Sequence, residues 1–228
     1  MVANWLFTAL MSFCLLLGSP VASAETSPPI KDKEYRVISP VQPPLDGGSA
    51  KQVEVIEFFY YGCPHCYNLQ PYLKAWLKSA PKDVAFRRVP AVFRESWLPL
   101  THVYYSLEAI GVVNEKINDA VFDAVQQKRI RLGDRQVLLE WAGSMGLDQK
   151  KLGEAYDSFA VQTKVRRAVQ LTRIYGINGT PSIVVGGRYL TGPSMTLTAS
   201  NSIDYARFAE VLNALVEMAR TAQARGKD

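Results

Sequence analysis

The chain has 228 residues, enough for one large domain or two small ones and for a sizeable buried core. Its hydrophobic content of 48% and charged content of 21% are those of an ordinary globular protein. The net charge of +5 is spread along the sequence, and no run of five or more like charges marks a nucleic-acid-binding arm. We therefore expect a globular protein with a solvated basic surface and no nucleic-acid partner.

The first 24 residues carry no charged side chain and contain the almost unbroken apolar stretch LFTALMSFCLLLG. The small-residue pattern VASA follows and ends directly before Glu25. Both features are typical of a secretory signal peptide with its cleavage site, so we assign residues 1–24, including Cys14, to a signal that export removes. No Lys or Arg precedes the apolar stretch, which leaves an uncleaved membrane anchor as the alternative.

The next part of the chain predicts a strand that leads directly into a helix. Residues 25–50 are rich in Pro, Gly and Ser and hold one strand-like piece, Tyr35–Ser39. The run VEVIEFF, Val53–Phe59, predicts a buried central strand. It is followed by CPHCYNLQPYLKAWLKSA (63–80), whose apolar residues recur at the spacing of an amphipathic helix. Pro64 suits the first turn of that helix, where a missing N–H costs nothing.

The remainder predicts a helical block between strands. A second strand is predicted at Val84–Pro90, and residues 93–175 show helical periodicity over a length too great for a loop. PSIVVGG and RYLTG then predict a hairpin joined by Gly186-Gly187, and a last helix begins at about Ile203.

These elements predict an α/β fold in which a βαβ unit and a ββα unit share one sheet. Residues 51–92 and 176–228 would form that domain, preceded by the segment 25–50 and interrupted by an inserted helical subdomain at 93–175.

Removal of the signal leaves two cysteines, Cys63 and Cys66, which could form a zinc site, a structural disulfide or a redox centre. Zinc needs about four ligands, whereas the mature chain adds only His65 and His102, and His65 lies between the cysteines. We therefore expect no metal. A disulfide between residues three positions apart closes almost no loop and so contributes little stability. A redox-active pair that works without a further cofactor fits the position best.

The expected chemistry follows from the place of Cys63 at the end of a strand and the start of a helix. Unpaired backbone N–H groups and the positive end of the helix dipole favour a thiolate there. The thiolate is the nucleophile in disulfide exchange. A protonated His65 would add a cation beside it, and Cys66, one turn inward, would resolve a mixed disulfide. A stabilised thiolate makes the disulfide easier to reduce and therefore more oxidising.

FFYYGCPHCY, the later GTPS, the helical insertion and the signal together resemble the DsbA family of bacterial periplasmic thiol:disulfide oxidoreductases. The resemblance covers nearly all of the mature chain and implies a thioredoxin-like fold. It also implies that the protein donates its disulfide to newly exported, unfolded chains in the periplasm. A quinone-linked membrane oxidase of the DsbB type would then reoxidise it, and we expect a monomer.

The resemblance extends to residues outside the cysteine motif. Thr180-Pro181 matches the family's cis-proline loop, which packs against the disulfide and binds substrate; an ordinary proline at a strand start is the alternative. Glu57 matches a buried acid of the family that supports proton transfer under the cysteines. The alternative is an ordinary glutamate that faces a sheet edge. The family pairs this acid with a base on the next strand, and our alignment places Phe86 there, beside Arg87 and Arg88.

Two other functions compete with a dithiol oxidase. An isomerase or reductase would use the same chemistry, but isomerases of this compartment usually carry a dimerisation domain, for which residues 25–50 are too few. A peptide-binding chaperone would use the surface near Pro181 and leave the cysteines incidental.

Overall fold

The computed structural model describes residues 27–45 and 51–225, so the predicted signal peptide lies outside the described residues. A mixed sheet of five strands organises the described part of the chain. The strands are β1 (Arg36–Val37), β2 (Val53–Phe59), β3 (Val84–Pro90), β4 (Ser182–Val185) and β5 (Tyr189–Thr191). Their order is β1-β5-β4-β2-β3, with β2 parallel to β3 and antiparallel to β4. The predicted βαβ and ββα units therefore share one sheet.

Helices connect the strands in the predicted order. The helices are α1 (Pro64–Ser79), α2 (Leu98–Ala109), α3 (Glu115–Gln126), α4 (Arg135–Ser144), α5 (Gln149–Asp157), α6 (Phe159–Ile174) and α7 (Tyr205–Arg225). Helix α1 joins β2 to β3, α2 to α6 form the helical insertion between β3 and β4, and α7 follows β5.

Local capping explains why the insertion is several short helices. Helices α3 to α6 each begin at a residue whose side chain accepts a hydrogen bond from the first helical turn, namely Asn114, Asp134, Asp148 and Ser158. Glycines with positive φ, Gly111, Gly146 and Gly176, follow the ends of α2, α4 and α6.

Two predicted boundaries move for local reasons. Strand β1 is shorter than the predicted Tyr35–Ser39, and Pro40, directly after that piece, has no N–H to continue the ladder. Helix α7 begins at Tyr205 because the Asp204 carboxylate accepts from the Arg207 N–H at 2.8 Å and caps the first turn.

The sheet separates two apolar cores because successive side chains of β2 point to opposite faces. Val53 and Val55 pack with apolar residues of α1 and α7. Ile56 and Phe58 pack with residues of the insertion. Burial on both faces accounts for the mainly apolar run in the sequence, which only Glu54 and Glu57 interrupt, and anchors the carboxyl end of β2, where the cysteine motif begins.

Candidate active site

Cys63 is the N-cap of α1, with Pro64 in the first helical turn, as the sequence predicted. The turn from β2 is closed by a hydrogen bond of 2.9 Å from the Cys63 N–H to the Tyr60 carbonyl. Cys63 is partly buried, Cys66 is fully buried, and no disulfide joins them. The site is therefore in its dithiol form, with one sulfur open to a reactant.

The environment of Cys63 favours its thiolate. A hydrogen bond from the Cys66 side chain contributes most, followed by the Thr180 side chain and the N–H groups of Cys66 and His65. These interactions outweigh burial and lower the Cys63 pKa to about 5. At neutral pH the Cys63 thiol is therefore ionised, which is the form in which a cysteine can act as a nucleophile.

Cys66 behaves in the opposite way. Burial raises its pKa well above the usual thiol value, and the hydrogen bond with Cys63 and the negative charges of Cys63 and Glu57 raise it further. The two cysteines thus divide into an ionised, accessible thiol and a neutral, buried one.

The second motif lies against Cys63 although it is 117 residues away along the chain. The Cys63 Sγ is 3.4 Å from the Thr180 carbonyl oxygen, and the Thr180–Pro181 peptide bond is cis. Strand β4 begins at the next residue. A groove of about 420 Å³ opens beside this loop and is lined by Pro181, Leu190, Pro193, Met195, Leu197 and the exposed His65.

Glu57 is fully buried on β2, so it does not face a sheet edge. Its carboxylate accepts from the Arg88 Nε at 2.8 Å and from the Gln70 amide at 3.1 Å. The parallel register sets Glu57 directly opposite Arg88. The basic partner that our alignment sought at Phe86 is therefore Arg88, and Phe86 instead lies under the Arg88 guanidinium, which stands 4.9 Å from the ring centroid.

Burial disfavours the Arg88 cation, but the Glu57 carboxylate outweighs this effect and raises the Arg88 pKa. The pair is a charged contact within the protein interior, on the face of β2 covered by α1.

The model of the DSBA-like thioredoxin domain matches residues 54–207, most of the chain. The chain belongs to the DsbA-like thioredoxin family. It is 39% identical over 212 residues to the thiol:disulfide interchange protein DsbA of Burkholderia cepacia, covering 93% of this chain and 95% of the relative. It is 37% identical over 211 residues to the Bordetella parapertussis protein of the same name, covering 92% and 98%.

Solved DsbA structures support the same assignment. Pseudomonas aeruginosa DsbA aligns with a TM-score of 0.76 at 29% identity, covering 85% of this chain and 95% of that one. Reduced DsbA1 of Neisseria meningitidis aligns with a TM-score of 0.73 at 28% identity, covering 87% and 99%. The predicted thioredoxin-like fold with a helical insertion is confirmed, and the protein is a thiol:disulfide oxidoreductase that introduces disulfide bonds.

Several site residues of this DsbA-like protein were missed from the sequence. The Tyr60 ring lies over Gly62, where a Cβ would come within 2.4 Å of it, and stacks on Trp97 with ring centroids 3.9 Å apart. Gln70 and Asn118 form a buried hydrogen-bond network beside Glu57. An aromatic run before the cysteines and a glutamine one turn after them were the only signals, and neither identifies its partner.

Within residues 27–45 and 51–225, no cluster of His, Cys, Asp and Glu side chains could hold a metal ion. In the same part of the chain, no helix has the length and apolar character needed to cross a bilayer.

Proposed function

We propose that Cys63 is the nucleophile and Cys66 the resolving thiol of a periplasmic dithiol oxidase acting on exported, unfolded proteins. One observation carries the proposal: a partly exposed helix-capping thiol with a pKa of about 5 stands beside a buried thiol whose pKa is raised. Such a pair has one good leaving group that is accessible to a substrate and one thiol that is shielded from it.

The reaction would proceed in two exchanges. A substrate thiolate attacks the Cys63 sulfur of the oxidised pair, the Cys63–Cys66 bond breaks, and Cys66 leaves and takes up a proton. The second thiolate of the substrate then attacks the substrate sulfur that is bound to Cys63. The substrate disulfide forms, and Cys63 leaves as a thiolate. Two electrons pass from the substrate dithiol to the enzyme, and the low Cys63 pKa favours the second exchange because it makes Cys63 a good leaving group.

Thr180 and Pro181 would hold the substrate beside the sulfur atom. The proximity of the Thr180 carbonyl to Cys63 Sγ and the groove beside the loop support this role. Pro181 has no N–H of its own to offer the sheet, which leaves nearby backbone groups free to pair with an extended chain. Pro64 would fix the helix start, and the buried Glu57 would assist proton transfer at Cys66.

The proposed cycle needs a partner that removes electrons from the reduced pair. A quinone-linked membrane oxidase of the DsbB type, as implied by the family, would fill this role, and the redox-active disulfide would be the only cofactor. We further propose that the protein acts as a monomer after export to the periplasm.

The test uses oxidised residues 25–228 and a reduced peptide with two cysteines. Wild-type protein should convert the peptide to its disulfide, whereas Cys63→Ser should fall to the background rate while still binding the peptide. A Cys63→Ser protein that keeps its full effect on the folding of a cysteine-containing client would contradict the oxidase and favour a chaperone.

His65 is expected to contribute to the oxidising power through its side chain. His65 lies in the first helical turn, and its backbone N–H helps to lower the Cys63 pKa; we expect its side chain to add to this effect, so His65→Ala should raise the Cys63 pKa. A rise of about one unit would lower the redox potential by about 30 mV. Equilibration with glutathione measures this potential, and Lys78→Ala on an exposed face of α1 is the control. An unchanged potential in His65→Ala would mean that the backbone alone sets it.

A further inference from the structure

Gln70 lies on α1 one turn beyond Cys66, is 3% exposed, and uses every hydrogen-bonding position of its side-chain amide. Its Nε2 donates to the Glu57 carboxylate at 3.1 Å and to the Cys66 carbonyl at 3.0 Å. Its Oε1 accepts from Arg88 at 3.3 Å and from Asn118 at 3.0 Å. An amide has two N–H donors and two acceptor positions, so this side chain is fully satisfied and fixed in one orientation.

The network continues from Gln70 into the helical insertion. Asn118 is fully buried on α3, and its Oδ1 accepts from the Tyr61 hydroxyl at 3.1 Å. Gln126 on the same helix donates to the Tyr61 carbonyl at 2.6 Å. Since Tyr61 precedes Cys63 by two residues, α3 holds the chain on both sides of the cysteine pair.

The reaction requires a proton transfer at Cys66, which the side-chain amide of Gln70 cannot carry out. Cys66 must lose or gain a proton whenever the disulfide forms or opens, and both burial and the Glu57 charge oppose its thiolate. The proposed role of Glu57 in proton transfer at Cys66 therefore requires its carboxylate to stay beside the Cys66 turn of α1, because proton transfer needs the two groups within reach of each other. A neutral amide is a donor and an acceptor but does not ionise, so Gln70 can position these groups but cannot carry the proton.

We propose that Gln70 is a positioning residue for the resolving thiol, fixing the Glu57 carboxylate against the Cys66 turn of α1 and tying both to the insertion through Asn118. This inference rests on the proposed roles of Cys63 and Cys66. It requires Gln70 to govern the step in which Cys66 reacts and to leave the step in which Cys63 reacts unchanged.

Glutathione disulfide separates the two steps in the reduced protein. The Cys63 thiolate attacks one glutathione sulfur, a Cys63–glutathione bond forms, and one glutathione thiolate leaves. Cys66, which is fully buried, then loses its proton with the assistance proposed for Glu57 and attacks the Cys63 sulfur, and the second glutathione leaves as a thiolate. Two electrons pass from the protein dithiol to glutathione disulfide.

The rate constants of both steps are measured by acid quench and mass spectrometry of the full mature chain. Gln70→Leu and Gln70→Met should leave the rate constant of the first step within about twofold of the wild-type value. They should lower the rate constant of the second step at least about tenfold, because displacement of a reacting group can slow a reaction by up to about 100-fold. Thr172→Val is the control: it also removes a buried hydrogen-bonding group, but this hydroxyl accepts from the Val92 N–H and donates to the Ala168 carbonyl, away from the Gln70 network. A second step within twofold of wild type, or equal slowing of both steps, would overturn the proposal. Absence of the first step in the wild type would instead overturn the proposed function.

A charged variant adds a readout that lost packing would not give. Gln70→Glu replaces the amide nitrogen 3.1 Å from the Glu57 carboxylate by a carboxylate oxygen. Two carboxylates this close share a proton, so a new ionisation should appear in the pH profile of the second step and be absent from Gln70→Leu. The other ionisable groups around this point are Cys63, Cys66, Arg88, Tyr61, Tyr67, Tyr72, Tyr104, Tyr205, Lys74, Asp119 and Asp123. A Gln70→Glu profile that coincides with the wild-type profile would overturn the proposal.

Discussion

The stability of the reduced protein, relative to the oxidised protein, is expected to rise by about 2 kcal/mol between pH 5 and pH 7. The Cys63 pKa is lowered by its hydrogen bonds with Cys66 and Thr180 and with nearby backbone N–H groups, to about 5 in the folded protein. It returns to about 8.5 on unfolding. A group whose pKa is depressed by folding stabilises the folded state above its unfolded pKa, and that stability is lost as the pH falls through the folded pKa.

The magnitude allows for solvent screening of a partly exposed sulfur, since two full pKa units would correspond to about 2.7 kcal/mol. The oxidised protein has no thiol to ionise, and the small loop entropy of its disulfide does not depend on pH. The difference between the unfolding free energies of the two forms therefore isolates the contribution of the thiolate. Urea unfolding of both forms at pH 5, 6 and 7 measures the difference. Reduced Cys63→Ser should lack the trend, and a difference that stays flat in the wild type would show that the thiolate is not stabilised by the fold.

Breaking the buried Glu57–Arg88 pair on one side is expected to cost about 3–5 kcal/mol of unfolding free energy. The Glu57 side chain is fully buried and that of Arg88 is 10% exposed, so either single change leaves a charge in the interior without its main partner. Such a loss is a large part of the about 5–15 kcal/mol that usually stabilises a domain. Arg88→Met and Glu57→Leu should both show it in urea unfolding.

The double variant Glu57→Leu with Arg88→Met should lose less than the sum of the two single changes, because it leaves no unpaired charge. The exposed pair Arg135–Asp157 provides the comparison, since solvent screens its charges and Asp157→Asn should change the unfolding free energy only slightly. Costs of that small size for Arg88→Met would mean that water reaches the pair and satisfies the charges.

The elements nearest the site could be predicted because their causes are local. Strand β2 is buried on both faces and mainly apolar, and a helix that starts shortly after it fixes Cys63 at the N-cap and Cys66 inside the first turns. The Gly186-Gly187 hairpin is equally local, since both residues adopt positive φ. In contrast, the approach of Thr180 to Cys63 spans 117 residues and was expected only from the family resemblance.

The partner of Glu57 and the Gln70 network could not be predicted because both depend on tertiary structure. The register between β2 and β3 pairs Glu57 with Arg88, and nothing within either strand sets that register by itself. Gln70 and Asn118 are 48 residues apart and meet only because α3 packs on α1. The Tyr60–Trp97 stack likewise joins the cysteine turn to the start of the insertion.

The pH dependence of Cys63 alkylation tests the central claim most directly. The reduced protein is treated briefly with iodoacetamide at a series of pH values, and the extent of modification of each cysteine is read by peptide mass spectrometry. Cys63 should react with a midpoint near pH 5, while buried Cys66 should stay unmodified throughout the neutral range. A Cys63 midpoint near 8.5, the value of an ordinary thiol, would contradict the account.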